Sequence, residues 1–333
     1  MLRKRFIVLV LFVFIMGWGV VDIAMAKVVI RMGDIMGPKT IQAQGLEKFI
    51  QYAKEFSNGE LEIQYFGASQ LGTAGTQVQN VAQGIQDMWV STPEFLHPYS
   101  KLLRIDERPF VFGNREQYES WLLSDDFKRI NEEMAKKANQ KFVLSKVFWG
   151  RGPTKVWIST KPIFSPADAK GTIMRLWESE GIHKFYRGMG FSTVTIPFGE
   201  VYNAFQRGIC HTTEVPFDAL EGMGFLEVAK FVIWSELYWQ VLTPTVNTQK
   251  WESLSPSMKK AFHDAWNKAG EWYNDQVLNQ VEPMKKRLIK KDAVFIYINR
   301  DPWIKKVQND VIPALVKEGF LQIESLKQLE KYK

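Results

Sequence analysis

The sequence predicts an α/β fold in two lobes braced by one long helix. Three observations carry that prediction. Strand and helix patterns alternate from Val28 to Ser91, a second alternating set begins near Lys141, and an apolar stripe of helical period runs from Ser255 to Lys290.

In the first set, the β-branched run Val28 to Met32 ends at Gly33-Asp34. Ile41, Leu46, Phe49, Ile50 and Ala53 then recur at helical spacing, and Ser57-Asn58-Gly59 stops the helix. Leu61 to Phe66 alternates as a strand, Thr76 to Gln83 reads as a helix ending at Gly84, and Asp87 to Ser91 reads as a strand. The order β-α-β-α-β implies a largely parallel sheet, with its functional crevice beyond the carboxyl ends of the strands. In the second set, strands are expected at Phe142 to Phe148, Val156 to Ser159, Ile173 to Leu176, Thr193 to Ile196 and Ile209 to Glu214, with helices near Ile182 to Gly188 and from Gly199 to Arg207. A strand-rich, aromatic stretch between Trp234 and Thr248 returns to the first lobe. Ser255-Pro256 is an N-cap followed by proline at the first helical position, and it opens the long helix. Carried to Lys290, that helix would reach roughly 50 Å, with a kink at Pro283.

The ends and the composition set the setting. Residues 1–26 read as a cleaved secretory signal: Arg3, Lys4 and Arg5, an apolar run from Phe6 to Val21, and Ala24-Met25-Ala26 as the cleavage site. The rival reading of that run is an uncleaved anchor. The remaining chain of roughly 300 residues is large for one core and suits two lobes. Its net charge falls from +7 for the whole chain to about +5 without the signal. Much of the excess sits in Lys285-Lys286-Arg287 and Lys290-Lys291, a solvated helix face without the interleaved aromatics of a nucleic-acid binder. The single cysteine, Cys210, excludes an intramolecular disulfide and reads as packing.

Catalytic furniture is missing from the pattern. His97, His183, His211 and His263 do not stand at metal-ligand spacing. There is no G-x-S-x-G elbow, and neither Gly188-Met189-Gly190 nor Gly222-Met223-Gly224 completes a dinucleotide loop. The acid pairs Asp125-Asp126 and Glu132-Glu133 fall on a polar helical face. The reading is an exported two-lobed protein that binds, with no metal and no cofactor.

From Lys170 onward a specific pattern accumulates: Lys170-Gly171-Thr172-Ile173-Met174-Arg175, then Gly188-Met189-Gly190, then the unbroken run from Ile196-Pro197-Phe198-Gly199-Glu200 through Gln206-Arg207-Gly208. With Gly59-Glu60-Leu61-Glu62-Ile63, Gln70-Leu71-Gly72, Arg108-Pro109-Phe110-Val111-Phe112 and Trp251 to Pro256, it resembles the DctP-type solute-binding proteins of tripartite ATP-independent periplasmic (TRAP) transporters. The resemblance implies a two-lobed periplasmic clamshell crossed by a long helix. It also implies a small carboxylate ligand in the cleft, closure on binding and delivery to TRAP membrane subunits; a monomer is expected. On this basis residues 27–150 plus about 237–280 form lobe 1, and 151–236 plus about 281–333 form lobe 2. A sensory protein of the same fold, or a secreted enzyme, are the rival functions.

The resemblance also assigns roles. Arg175 matches the arginine that grips the ligand carboxylate, which its planar fork suits; a salt bridge to Glu178 or another acid is the structural alternative. Lys155 stands where many members carry a second arginine, and Arg151, four residues earlier, is the other candidate for that cation. Phe198 matches an aromatic that packs on the ligand, or else is core. Glu214 is retained, whereas Val215 replaces a ligand-bonding asparagine, which suggests a ligand with fewer hydroxyls than a sugar acid. Trp177, Tyr238 and Trp239 are candidate cleft walls, and Asp34 and Glu94 follow strand ends that face the cleft.

Overall fold

The computed structural model describes residues 27–100, 103, 108–152, 154–322 and 331–332; the expected signal, 1–26, lies outside them. The first lobe opens with β1 (Val28–Gly33), α1 (Ile41–Phe56), β2 (Leu61–Phe66), α2 (Ala74–Gln83) and β3 (Met88–Ser91). Local chemistry sets these bounds. The Thr40 side chain accepts from Ala43 N to start α1, Thr73 does the same for Thr76 N at α2, and Gly84 at φ 74 ends α2 in the left-handed region. Helices α3 (Arg115–Leu122) and α4 (Asp125–Ala138) follow, then β4 (Gln140–Phe142) and β5 (Trp149–Gly150).

The chain then enters the second sheet with β6 (Lys155–Ser159), the short α5 (Pro166–Ala169), β7 (Ile173–Leu176), α6 (Glu180–Gly188), β8 (Ser192–Thr195), α7 (Val201–Gln206), β9 (Thr212–Pro216) and β10 (Phe231–Trp234). It returns through β11 (Val241–Asn247) and α8 (Thr248–Glu252) to α9 (Pro256–Asn279), then crosses again into α10 (Val281–Ile289) and β12 (Val294–Tyr297). The two six-stranded sheets have the orders β2-β1-β3-β11-β4, with β5 also on β11, and β12-β10-β6-β9-β7-β8. Each is mixed: β1 is parallel to β2 and β3 while β11 runs antiparallel, and β6 runs antiparallel between β9 and β10.

Three expectations are corrected. The strand from Phe142 to Phe148 is two short strands, because the intervening chain is held by side chains: Asn267 Oδ1 accepts from Val147 N, and Asn274 and Arg115 both donate to Phe148 O. The strand foreseen from Ile209 starts at Thr212, with Ile209 exposed and Cys210 fully buried just before it. The long helix is not one piece, since α9 ends at Asn279 and α10 begins at Val281. Pro283 has no N–H to offer the Asn279 carbonyl, and its ring crowds that oxygen, so the break falls one turn before the proline.

Helix α9 lies along α1, where Phe49 meets Phe262 and Trp266 edge-on at 5.0 and 5.2 Å. Trp149 slides between these helices, stacked at 4.2 Å on Trp266 and 5.1 Å on Tyr273, and donates from Nε1 to Trp266 O at 3.0 Å. Only glycine leaves room for it. A Cβ at Gly270 would stand 2.3 Å from Trp149 Nε1, and one at Gly45 would stand 2.9 Å from its Cζ3. The lobes themselves touch where a Cβ at Gly222 would stand 2.9 Å from Lys39 O and where the Phe95 and Trp177 rings lie 5.6 Å apart. Among the described residues no helix is long and apolar enough to cross a membrane.

This packing yields a test with a definite sign. Gly270→Ala raises helix propensity by about 1 kcal/mol, yet it should destabilise the protein by about 1–3 kcal/mol because the indole must move. Urea unfolding of the two proteins measures the difference.

Candidate ligand-binding cleft

Between the carboxyl ends of the two sheets lies a cleft of about 300 Å³. Its walls bring together six of the residues expected from sequence: Arg151, Lys155, Arg175, Trp177, Phe198 and Glu214. Arg175 comes from β7, which runs parallel between β8 and β9, with Val194 and Thr213 as its register partners. It is 3% exposed. Its Nε donates to Ile196 O at 2.7 Å, and its guanidinium lies 5.4 Å from the Phe198 ring centroid. Among the described residues it has no salt bridge, so the alternative of a pair with Glu178 is not realised. Burial pushes the guanidinium down to about 10, opposed by Cys210 and Glu214, and leaves it charged at neutral pH.

Lys155 is occupied. Its Nζ donates to Glu214 Oε1 at 2.7 Å, while Glu214 Oε2 accepts from Tyr186 OH at 2.5 Å and Tyr186 OH accepts from Trp157 Nε1 at 3.0 Å. The ammonium also sits over the Trp177 ring at 4.5 Å and the Tyr238 ring at 5.5 Å. Its charge is thus neutralised inside the lobe. Arg151 differs: its Nη2 contacts Met36 Sδ at 3.4 Å, its buried Nε has no partner, and it makes no salt bridge among the described residues. The buried Nε1 of Trp177 is likewise without a partner.

Five residues named from sequence do not line the cleft. Val215 is fully buried in the core with Val156, Ile158 and Phe217. Side chains on a strand alternate, so Glu214 and Pro216 face the cleft and Val215 faces away. Its identity therefore says nothing about hydroxyls on a ligand. Asp34 is fully buried and already accepts from Met36 N, Gln42 Nε2 and Tyr65 OH. Glu94 is held by Thr92 Oγ1 and Gln240 Nε2, which turns Phe95, not Glu94, toward the cavity. Tyr238 supports Lys155 from behind, and Trp239 packs into the aromatic core of the first lobe.

Sequence reasoning passed over Ser69, Thr73, Gly75, Phe95 and Thr195, which complete the wall. The small residues Gly72-Thr73-Ala74-Gly75 were the available signal: glycine at 75 leaves room for the Glu178 carboxylate of the other lobe, which a Cβ there would meet at 3.1 Å from Oε2. It also passed over Asp218, whose Oδ2 accepts from Tyr273 OH at 3.3 Å while Oδ1 has no partner. Burial lifts the Asp218 and Asp34 carboxyls to about 6, against the pull of Arg151 on both.

This chain is similar to proteins named as periplasmic solute-binding proteins. It is 25% identical over 296 residues to the 2,3-diketo-L-gulonate-binding periplasmic protein YiaO of Escherichia coli, covering 88% of this chain and 87% of that one. A TRAP periplasmic solute binding protein from Ochrobacterium anthropi, solved with bound L-fuconate, superposes with a TM-score of 0.82 at 21% identity, over 92% of this chain and 99% of the other. Another from Desulfovibrio salexigens, solved with bound orotic acid, gives a TM-score of 0.79 at 26% identity, over 92% and 98%. The family profile of the bacterial extracellular solute-binding proteins, family 7, known as DctP, matches residues 32–317, which span both sheets and every wall of the cleft. The chain belongs to that family.

Proposed function

We propose that this protein captures a small organic acid between its lobes in the periplasm, after loss of residues 1–26, and passes it unchanged to TRAP membrane subunits. Lobe 1 comprises 27–150 plus about 237–280 and lobe 2 comprises 151–236 plus about 281–333. One observation supports the reading: Arg175 is a buried guanidinium in a cleft, bonded to a backbone carbonyl and, among the described residues, to no acid. A desolvated cation without a counter-ion is costly, and an incoming carboxylate is the group that relieves it. The ligand body then lies against Phe198, Trp177 and Phe95.

Magnitudes show why two lobes are needed. A charge-assisted hydrogen bond contributes about 1.5–3 kcal/mol, whereas micromolar capture requires about 8 kcal/mol. Closure supplies the rest by burying apolar ligand surface and by strengthening the ion pair as water leaves. The Lys155–Glu214 pair serves the scaffold in this reading, with Tyr186 as its third member.

Two substitutions separate these roles. Arg175→Met should weaken binding of the best organic acid by about 2–5 kcal/mol, or roughly 30- to several-thousand-fold. Its unliganded stability should not fall. Isothermal titration and thermal unfolding measure both, and undiminished binding would overturn the assignment. Glu214→Gln should instead cost about 3–5 kcal/mol of stability, because it strands the buried Lys155 ammonium; urea unfolding reads it.

A further inference from the structure

We infer that Glu178 is a latch between the lobes: its carboxylate, carried on lobe 2 three residues after Arg175, docks on the first turn of α2 in lobe 1 and stabilises the closed form before any ligand arrives. This goes beyond the capture proposed above and holds with or without a ligand. A Cβ on Gly75 would stand 3.1 Å from Glu178 Oε2 and 4.0 Å from its Cδ, so the carboxylate meets the helix oxygen first. A Cα–Cβ bond tilts toward the N-terminus of its helix, and an atom lying along it therefore hangs over the first turn.

Each side of this contact lacks what the other offers. Helix α2 has no acidic residue in its first turn, and its cap, Thr73 Oγ1, accepts from Thr76 N at 3.3 Å. The N–H groups of Ala74 and Gly75 have no partner within the helix, and they carry the positive end of its dipole. Glu178 stands exposed at the mouth of the cleft and makes no salt bridge or hydrogen bond among the described residues. Because the acid and the helix end belong to different lobes, the contact exists only while the lobes are together.

The corner that carries Glu178 is stiff. Its neighbour Trp177 holds the Lys155 ammonium 4.5 Å from the ring centroid on one side and meets Phe95 of lobe 1 at 5.6 Å on the other. Ser179 N donates to Trp177 O at 2.9 Å, and Ser179 Oγ accepts from Ile182 N at 3.4 Å to start α6. Arg175 and Glu178 thus sit on one rigid piece, the first facing the cleft and the second facing lobe 1. Since the carboxylate is exposed, the contact changes the closed-to-open ratio by a small factor, about two- to fivefold. That weakness suits a protein that must let its cargo go, whereas a buried ion pair at the mouth would hold the lobes shut.

The test uses ligand-free protein, so its outcome is independent of the Arg175 reading, which titration with organic acids decides. One spin label on each lobe, through Lys128→Cys on α4 and Arg207→Cys after α7, reports the interlobe distance; both positions are exposed, and the native Cys210 is buried. The wild type should show a closed population beside an open one. Glu178→Gln should lower the closed-to-open ratio by about two- to fivefold, and Glu178→Lys by more, because a positive charge then faces the positive helix end. Gly75→Lys should raise the ratio in the wild type and leave it unchanged in Glu178→Gln. The charge swap, Glu178→Lys with Gly75→Glu, should recover the ratio above that of either single variant, which a role in ligand contact or in folding alone would not produce. Thermal unfolding reports that each variant folds. A wild type without a closed population, a ratio unmoved by Glu178→Lys, or a charge swap no better than its parts would overturn the latch.

Discussion

The cleft depends on a positive charge that the protein buries and does not neutralise. Arg175 is enclosed by β8 and β9, anchored through one N–H to Ile196 O, and left with free donors in a low-dielectric wall. Every neighbouring cation with a local acid is silenced by it, as Lys155 is by Glu214. Arg175 and Arg151 line the same cavity, each buried and without a salt bridge among the described residues, and the scaffold bears the strain of burying them. That strain is affordable because the stability resides elsewhere, in the aromatic seam between α1 and α9 and in the cores of the two sheets.

Much of this architecture was legible before any coordinates. Alternating strand and helix patterns located both sheets, and Ser255-Pro256 fixed the start of α9, whose cap is Ser255 Oγ on Met258 N. The break at Gln280 was harder to read, because a proline announces a disturbance without saying on which side the helix gives way. Its missing N–H acts four residues upstream, and that is where the chain turns. The two-piece strand around Phe142 to Gly150 was hidden for another reason: Asn267 and Asn274, more than 100 residues away, take its hydrogen bonds.

In the site, motif-borne residues were the legible ones. Arg175, Phe198 and Glu214 came through a family pattern, and Lys155 and Arg151 through their spacing from it, and all five reach the cavity. Residues chosen because they follow strand ends fared differently. Asp34 and Glu94 are spent on internal hydrogen bonds, which a sequence does not display. Val215 was misplaced by one residue of strand parity, the smallest error that reverses a side chain's direction. The contest between Lys155 and Arg151 for the second cation was open in the sequence; in the structure Lys155 is paired with the Glu214 carboxylate, while Arg151 makes no salt bridge among the described residues.

The gap between α9 and α10 has a mechanical consequence. The first piece is packed on α1, whereas the second is pinned to the opposite lobe through Arg287 on Glu221 and Lys285 over Trp234. A continuous rod across both lobes would resist twisting along its whole length. Split at Gln280, it behaves as two rigid levers sharing a joint, each carried by the body it is fastened to. Torque generated at the mouth can then be relaxed at that joint, which is no part of the cleft wall, so that opening need not loosen the packing that holds the arginines.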